Sequence, residues 1–293
     1  MRKILLPMLV LCVSALGAQE IRTISVHGHR GTRGTRPENT LPAFEEALRA
    51  GVDVLELDMA VTKDGYIVVS HEPRITPERC LAPDGTRIEQ AVPIHDLTLA
   101  EVRRYDCGSL PNPAFSRQIP APGARIPTLD EVFALAAASK HSAAAKVEFN
   151  IETKIYLSEP QLTPSPAEFA KLVAETVIRN EMEKRTIVQS FDVRTLREIK
   201  KIEPKIRTAQ LTREQLLDIA PALKKAKTDI WSPNYQWITP DSVKDAHEAG
   251  IQVAPWTVNT PKEWDKVIAD GADAIITDYP AELIAYLKTK KLR

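Results

Sequence analysis

From residue 24 onward, short runs rich in β-branched residues alternate with longer stretches whose apolar residues recur every three or four positions. The first pattern fits a buried strand and the second an amphipathic helix. Strands are predicted at Ile24–Val26, Asp53–Val61, Val147–Thr153, Thr186–Gln189, Ile206–Leu211, Asp229–Ser232, Ile251–Trp256 and Ala274–Thr277. Helices are predicted over Leu41–Arg49, Thr128–Lys140, Pro166–Asn180, Val193–Ile202, Arg213–Lys225, Pro240–Ala249, Pro261–Asp270 and Ala281–Thr289. Such alternation implies a parallel sheet with helices outside it. Eight strand–helix units in one domain-sized chain point to an α/β fold closed as a (β/α)₈ TIM barrel. No Gly-x-Gly-x-x-Gly follows the first strand, which argues against an open dinucleotide-binding sheet.

Two segments break the period. Tyr66–His71 follows Asp53–Val61 after only Thr62-Lys-Asp-Gly65. Parallel neighbours need a crossover of about a dozen residues or more, so this connection must be an antiparallel hairpin, with Asp64-Gly65 as its turn. Counting back from the turn sets His71 roughly opposite Glu56. Residues 72–126 are rich in proline and contain one short helical stretch, Leu99–Tyr105. Long connections of this kind are often lids. This one is read as a cap insertion after the second strand, within a barrel domain spanning residues 19–293.

The first 18 residues have a different character. Arg2-Lys3 precedes the apolar run Ile4–Val13, and small residues fill Ser14–Ala18. This is the pattern of a cleaved export signal, and the run is too short to span a bilayer. An exported product is expected, periplasmic or secreted, without stable membrane insertion. Cleavage removes Arg2 and Lys3, leaving 37 cationic against 39 anionic side chains, a formal charge of −2. A near-neutral chain offers no broad basic face for nucleic acid. Nothing in the pattern specifies an oligomeric state. Cys80 and Cys107 survive cleavage, and both a disulfide and two separate buried thiols are open readings.

Active sites of eight-stranded barrels lie at the C-terminal ends of the strands. The polar residues there are His29, Arg30, Glu56, Asp58, His71, Glu152, Lys154, Gln189, Trp256 and Asp278. Glu56 and Asp58 stand two apart on a strand, so both face the same way. Two ionised carboxylates in an apolar strand repel each other and lose hydration. One divalent cation relieves both, and carboxylate oxygens favour hard ions, Ca²⁺ or Mg²⁺. Glu152 can supply a third ligand, with Lys154 and Arg30 as fixed positive charge. That combination suits phosphate esters, whose non-bridging oxygens gather negative charge. His29 and His71 reach the rim from different strands and can act as base and acid. Trp256 is read as a substrate contact, with core packing as its alternative. His27 shares the face of His29 and is read as structural, deeper in the barrel. Each piece alone has a plain alternative, an internal ion pair or a turn residue; four strand ends carry the pattern together.

These residues stand in motifs: His29-Arg-Gly31, Pro37-Glu-Asn-Thr40, Glu56-Leu-Asp58, Thr62-Lys-Asp-Gly65, Ser70-His-Glu72, Glu152-Thr-Lys154, Gln189-Ser-Phe191, Trp256-Thr-Val-Asn259 and Thr277-Asp-Tyr-Pro280. In this order they closely resemble the glycerophosphodiester phosphodiesterase family. The resemblance implies metal-dependent cleavage of glycerophosphodiesters, small-molecule substrates, to sn-glycerol 3-phosphate and an alcohol. It implies Glu56, Asp58 and Glu152 as metal ligands, Arg30 and Lys154 on the phosphate, and His29 and His71 as the acid–base pair. It further implies attack by the glycerol 2-hydroxyl and a cyclic phosphate that water opens. Two readings compete with it: a phospholipase D-like relative acting on intact lipid, and a binding protein without catalysis. The chain departs from the family in having Glu72 where aspartate is usual. It also has a longer Thr32–Arg36 stretch, whose Arg33 and Arg36 are read as solvated loop charges, with extra phosphate contacts as the alternative.

Overall fold

The computed structural model describes residues 23–214 and 219–293. The expected export signal, residues 1–18, lies outside the described residues. Eleven strands are present in the described part: β1 (Ser25–Gly28), β2 (Val54–Val61), β3 (Ile67–Val69), β4 (Arg74–Ile75), β5 (Val92–Pro93), β6 (Glu148–Thr153), β7 (Thr186–Ser190), β8 (Arg207–Thr212), β9 (Ile230–Pro233), β10 (Gln252–Val253) and β11 (Ala274–Thr277). The helices are α1 (Leu41–Ala50), α2 (Leu99–Val102), α3 (Leu129–Ala138), α4 (Pro166–Arg179), α5 (Val193–Ile202), α6 (Ile219–Ala226), α7 (Pro240–Glu248), α8 (Pro261–Asp270) and α9 (Pro280–Thr289).

Eight strands run parallel in the order β10-β9-β8-β7-β6-β2-β1-β11. The ends of this path meet through Asp273 N donating to Val253 O at 2.9 Å and Ile276 N to Pro255 O at 3.0 Å. The result is a nearly closed (β/α)₈ barrel. Helix starts follow from capping chemistry: Thr40, Thr128, Ser165 and Thr260 each accept a backbone N–H of the first turn. Buried Phe44, Phe133, Phe149 and Phe169 fill the layer between barrel and helices. Ile187, Ala209, Ile230, Ala254 and Ala274 form a separate small cluster that occupies the barrel interior. Above them the inward positions turn polar, and the site begins there.

Three local expectations need correcting. The first strand starts at Ser25 and runs to Gly28, because its partner β11 offers four paired positions. The regular ladder of the seventh strand covers only Gln252–Val253, although Ala254 N and Trp256 N go on donating to Trp231 O and Pro233 O; on the β11 side Pro255 has no N–H to give. The helix expected from Arg213 is described from Ile219 onward, residues 215–218 lying outside the description.

The hairpin forms as expected, with Met59 opposite Val69 and Gly65 at φ 82° in the turn. Ser70 N donates to Asp58 O, so His71 falls level with Leu57, one position from the expected Glu56. Residues 72–126 then build a small apolar cluster of Ile75, Ile88, Ile94, Val102 and Ile126 against Ala60 and Val68 of the hairpin. Of the two cysteine readings the disulfide holds: Cys80 and Cys107 are bonded.

Candidate active site

Glu56 and Asp58 of β2 and Glu152 of β6 point into the same end of the barrel. One carboxylate oxygen from each lies within 4.8 Å of the other two. All three residues are buried, none more than 6 % exposed. Register explains the meeting: β2 and β6 are neighbours and pair Asp58 with Glu152 directly.

Each carboxylate is held by named donors. Glu56 accepts Arg30 N at 2.9 Å and Gln189 Nε2 at 2.6 Å. Asp58 accepts Asn39 Nδ2 at 2.9 Å and faces Lys154 Nζ at 3.0 Å and Arg30 Nε at 3.2 Å. Glu152 faces Lys154 Nζ at 2.8 Å. Burial pushes the Glu56 carboxyl well above the usual range, and the charge of Asp58 pushes it further. Burial also raises Glu152, against the pull of Lys154. Asp58 resists burial because Lys154 and Arg30 hold it well below the usual carboxylate range. Lys154 answers in kind: burial opposes its charge, but Asp58 and Glu152 raise it above an ordinary lysine.

Three buried carboxylates therefore face one lysine and one arginine, and Arg30 is shared with Glu38 at 2.7 Å. Burial, with the charge of Asp58 beside it, raises the Glu56 carboxyl and opposes its charge. A hard divalent cation fits this donor set, because it would let all three ionise together.

The two histidines flank the carboxylates and line the same cavity, of about 60 Å³, with Arg30, Lys154 and Trp256. His29 Nδ1 donates to Asp278 Oδ1 at 2.6 Å, leaving Nε2 4.0 Å from Glu56 Oε2. Burial lowers His29 to about 4 even though Asp278 opposes the shift. It is a neutral imidazole whose Nε2 lone pair faces the cavity. Asp278 is in turn fixed by Asn259, whose Nδ2 donates at 2.7 Å and whose Oδ1 accepts Asp278 N at 2.9 Å. His71 Nδ1 lies 2.7 Å from Glu72 Oε1, a bond that holds the Glu72 carboxyl below the usual range. The glutamate that departs from the family pattern thus reaches the imidazole. Trp256 donates Nε1 to Ser232 O at 2.8 Å and meets Phe191 edge-on at 5.7 Å. His27 is buried below the site, within the electrostatic reach of Asp53 and Arg207.

The loop after β1 makes this arrangement possible. Arg30 and Asn39 sit at φ 49° and 57°, in the left-handed region that ordinary residues avoid. That turn aims Arg30 N at Glu56 and the Asn39 amide at Asp58. Gly31 follows at φ 85°, and a Cβ there would meet the backbone of Ala43 at 2.7 Å. Arg33 and Arg36 are not solvated loop charges. Arg33 Nε pairs with Glu38 at 3.0 Å under the ring of Phe115, and Arg36 Nε pairs with Glu46 at 2.5 Å.

The structure adds Glu38, Asn39 and Asn259 to the residues given a role from sequence, and it gives Gln189 and Asp278 their partners, Glu56 and His29. Gln189 and Asp278 carried a signal, as polar residues at strand ends. Glu38, Asn39 and Asn259 lie in loops, where pattern does not show which way a side chain turns.

A barrel with a buried acidic triad that could hold a metal ion and two carboxylate-backed imidazoles on its C-terminal rim fits a hydrolase of phosphate esters. The match to known proteins agrees. Residues 29–282 match the glycerophosphoryl diester phosphodiesterase family. A glycerophosphodiester phosphodiesterase from Caldanaerobacter subterraneus is 33% identical over 259 residues, covering 88% of this chain and 96% of that one. A human lysophospholipase D is 28% identical, covering 91% and 87%. The crystal structure of a Silicibacter pomeroyi protein carrying the same family name superposes with a TM-score of 0.85 at 30% identity, covering 92% and 95%. The chain belongs to the glycerophosphoryl diester phosphodiesterase family and is a phosphoric diester hydrolase.

Proposed function

We propose that the chain hydrolyses glycerophosphodiesters to sn-glycerol 3-phosphate and an alcohol, with Glu56, Asp58 and Glu152 holding one divalent cation, Ca²⁺ or Mg²⁺. The observation that carries this reading is the meeting of three buried carboxylates with two oriented imidazoles in one cavity. When bound, the cation would neutralise the carboxylates and draw charge from the non-bridging phosphate oxygens.

The chain's own groups do the rest. Arg30 and Lys154 add fixed positive charge beside the phosphate. His29, neutral and held by Asp278, takes the proton of the glycerol 2-hydroxyl at Nε2 as that oxygen attacks phosphorus. His71 gives a proton to the departing alcohol oxygen as its bond to phosphorus breaks. The product is a cyclic phosphate. In the second step His71, now a base, takes a proton from water as the water oxygen attacks phosphorus. The ring bond to the 2-oxygen opens, and His29 returns its proton there. Both imidazoles end as they began.

Export to the periplasm or beyond is part of the proposal, resting on residues 1–18. Among the described residues no helix is long and apolar enough to cross a membrane. The test is release of glycerol 3-phosphate from a panel of deacylated diesters. Release should stop with chelator and return with Ca²⁺ or Mg²⁺. His29→Ala and His71→Ala should each lower kcat by about 10²–10⁴ while diester binding persists. Faster release of choline from lysophosphatidylcholine than of glycerol 3-phosphate from any deacylated diester would instead favour the phospholipase D-like reading. No release from any substrate with either ion would favour a binding protein.

A further inference from the structure

A groove of about 910 Å³ leaves the catalytic cavity on the His71 side. It shares His71, Glu152, Lys154, Phe191 and Arg213 with that cavity but not His29, Glu56 or Asp58. In the reaction proposed above, His71 protonates the departing alcohol. The groove is therefore where the alcohol lies, and its lining sets which alcohols are accepted.

Most charges along it are neutralised. Glu72 meets His71 at 2.7 Å, Glu152 meets Lys154 at 2.8 Å, and Asp192 meets Arg194 at 2.6 Å. Arg213 differs, since it has no ion pair or hydrogen bond among the described residues. Its guanidinium lies over the Phe191 ring, 4.8 Å from the centroid. Stacking holds a planar guanidinium in place while leaving its N–H edge free to take an anion. The aromatic groups do not form a cage for a quaternary ammonium. One side of Phe191 is covered by Arg213, its neighbour Trp256 packs edge-on, and Arg213 repels a cation.

We propose that Arg213, stacked on Phe191, selects the leaving alcohol and favours alcohols that carry a phosphate or a carboxylate over choline. The inference rests on the phosphodiesterase reading and names the substrate class within it. An exposed charge contact of this kind changes binding by up to about fivefold, so attracting an anion while repelling choline shifts the ratio by about tenfold.

The test compares kcat/KM of the full chain, loaded with divalent ion, on four diesters: glycerophosphoinositol 4-phosphate, glycerophosphoserine, glycerophosphocholine and glycerophosphoethanolamine. The first two separate phosphate from carboxylate recognition. Wild type should prefer an anionic alcohol over choline by about tenfold or more. Arg213→Gln should cut that ratio about tenfold, Arg213→Glu should invert it, and Arg213→Lys should keep most of it. A wild type that prefers choline overturns the inference, as does a ratio unchanged within about twofold in an active Arg213→Gln enzyme. No hydrolysis of any diester by wild type sinks the phosphodiesterase reading itself, and this inference with it.

Discussion

At the residue scale, the site is built from groups whose charge state is set by what touches them. His29 illustrates this. Its Nδ1 proton is held by Asp278, so its Nε2 is the atom left to act as base. Asp278→Asn keeps the size but offers an amide in place of a carboxylate, and the imidazole can turn or change tautomer. We expect kcat to fall about 10²-fold or more with little change in KM. Loss of both parameters together would mean Asp278 binds substrate. His27 has a different consequence. Burial lowers it to about 4, and its Nδ1 has no hydrogen-bond partner among the described residues. Its folded pKa is depressed, so its contribution to stability is present above about 6.5 and is lost as pH falls toward about 4. His27→Gln should therefore flatten the pH dependence of unfolding free energy between pH 6.5 and 4.5 by about 2 kcal/mol. Equal slopes in the two proteins would show that His27 charges inside the fold.

The ligand carboxylates were legible in the sequence because strand alternation fixes where residues two apart must point. Asn39 and Glu38 were not, because their direction depends on two left-handed residues in a loop. Nothing local announces a left-handed Arg30; the conformation is imposed by Gly31 packing on α1 and by the bond to Glu56.

At the scale of elements, the barrel strands and most helices could be read from periodicity and capping residues. What failed did so for a backbone reason. Ile251–Trp256 reads as a strand by composition, and Ala254 N and Trp256 N do bond β9, yet Pro255 has no donor to offer β11. The segment 72–126 was legible as an interruption but not in its internal order. Its small apolar cluster unites residues far apart in sequence, and the Cys80–Cys107 bond closes a separation of 27 residues. A loop of that length loses entropy worth about 3 kcal/mol when cross-linked in the unfolded chain. The pair Cys80→Ser with Cys107→Ser should therefore expose residues 77–125 to limited proteolysis while the barrel persists. Cleavage in the barrel first would mean that the bond supports the whole fold. At the opposite side of the site, Gly31→Ala should destabilise by more than about 1 kcal/mol in urea melts, since it meets both a forbidden φ and the Ala43 backbone.

At the scale of the molecule, closing the sheet gathers at one rim residues as distant as His29 and Asp278. The sequence showed each strand end separately; only closure brings β11 beside β1 and makes Asp278 the partner of His29. The same closure packs three acids into a space where burial and mutual repulsion oppose their charges and call for compensation. The claim that a single divalent ion supplies the compensation is the most consequential one. Crystals soaked in Mn²⁺ and measured at its absorption edge test it directly. One anomalous peak should appear between Glu56, Asp58 and Glu152, within about 2.5 Å of an oxygen from each. A protein that releases glycerol 3-phosphate yet shows no peak there, or one elsewhere on the barrel, would contradict the account.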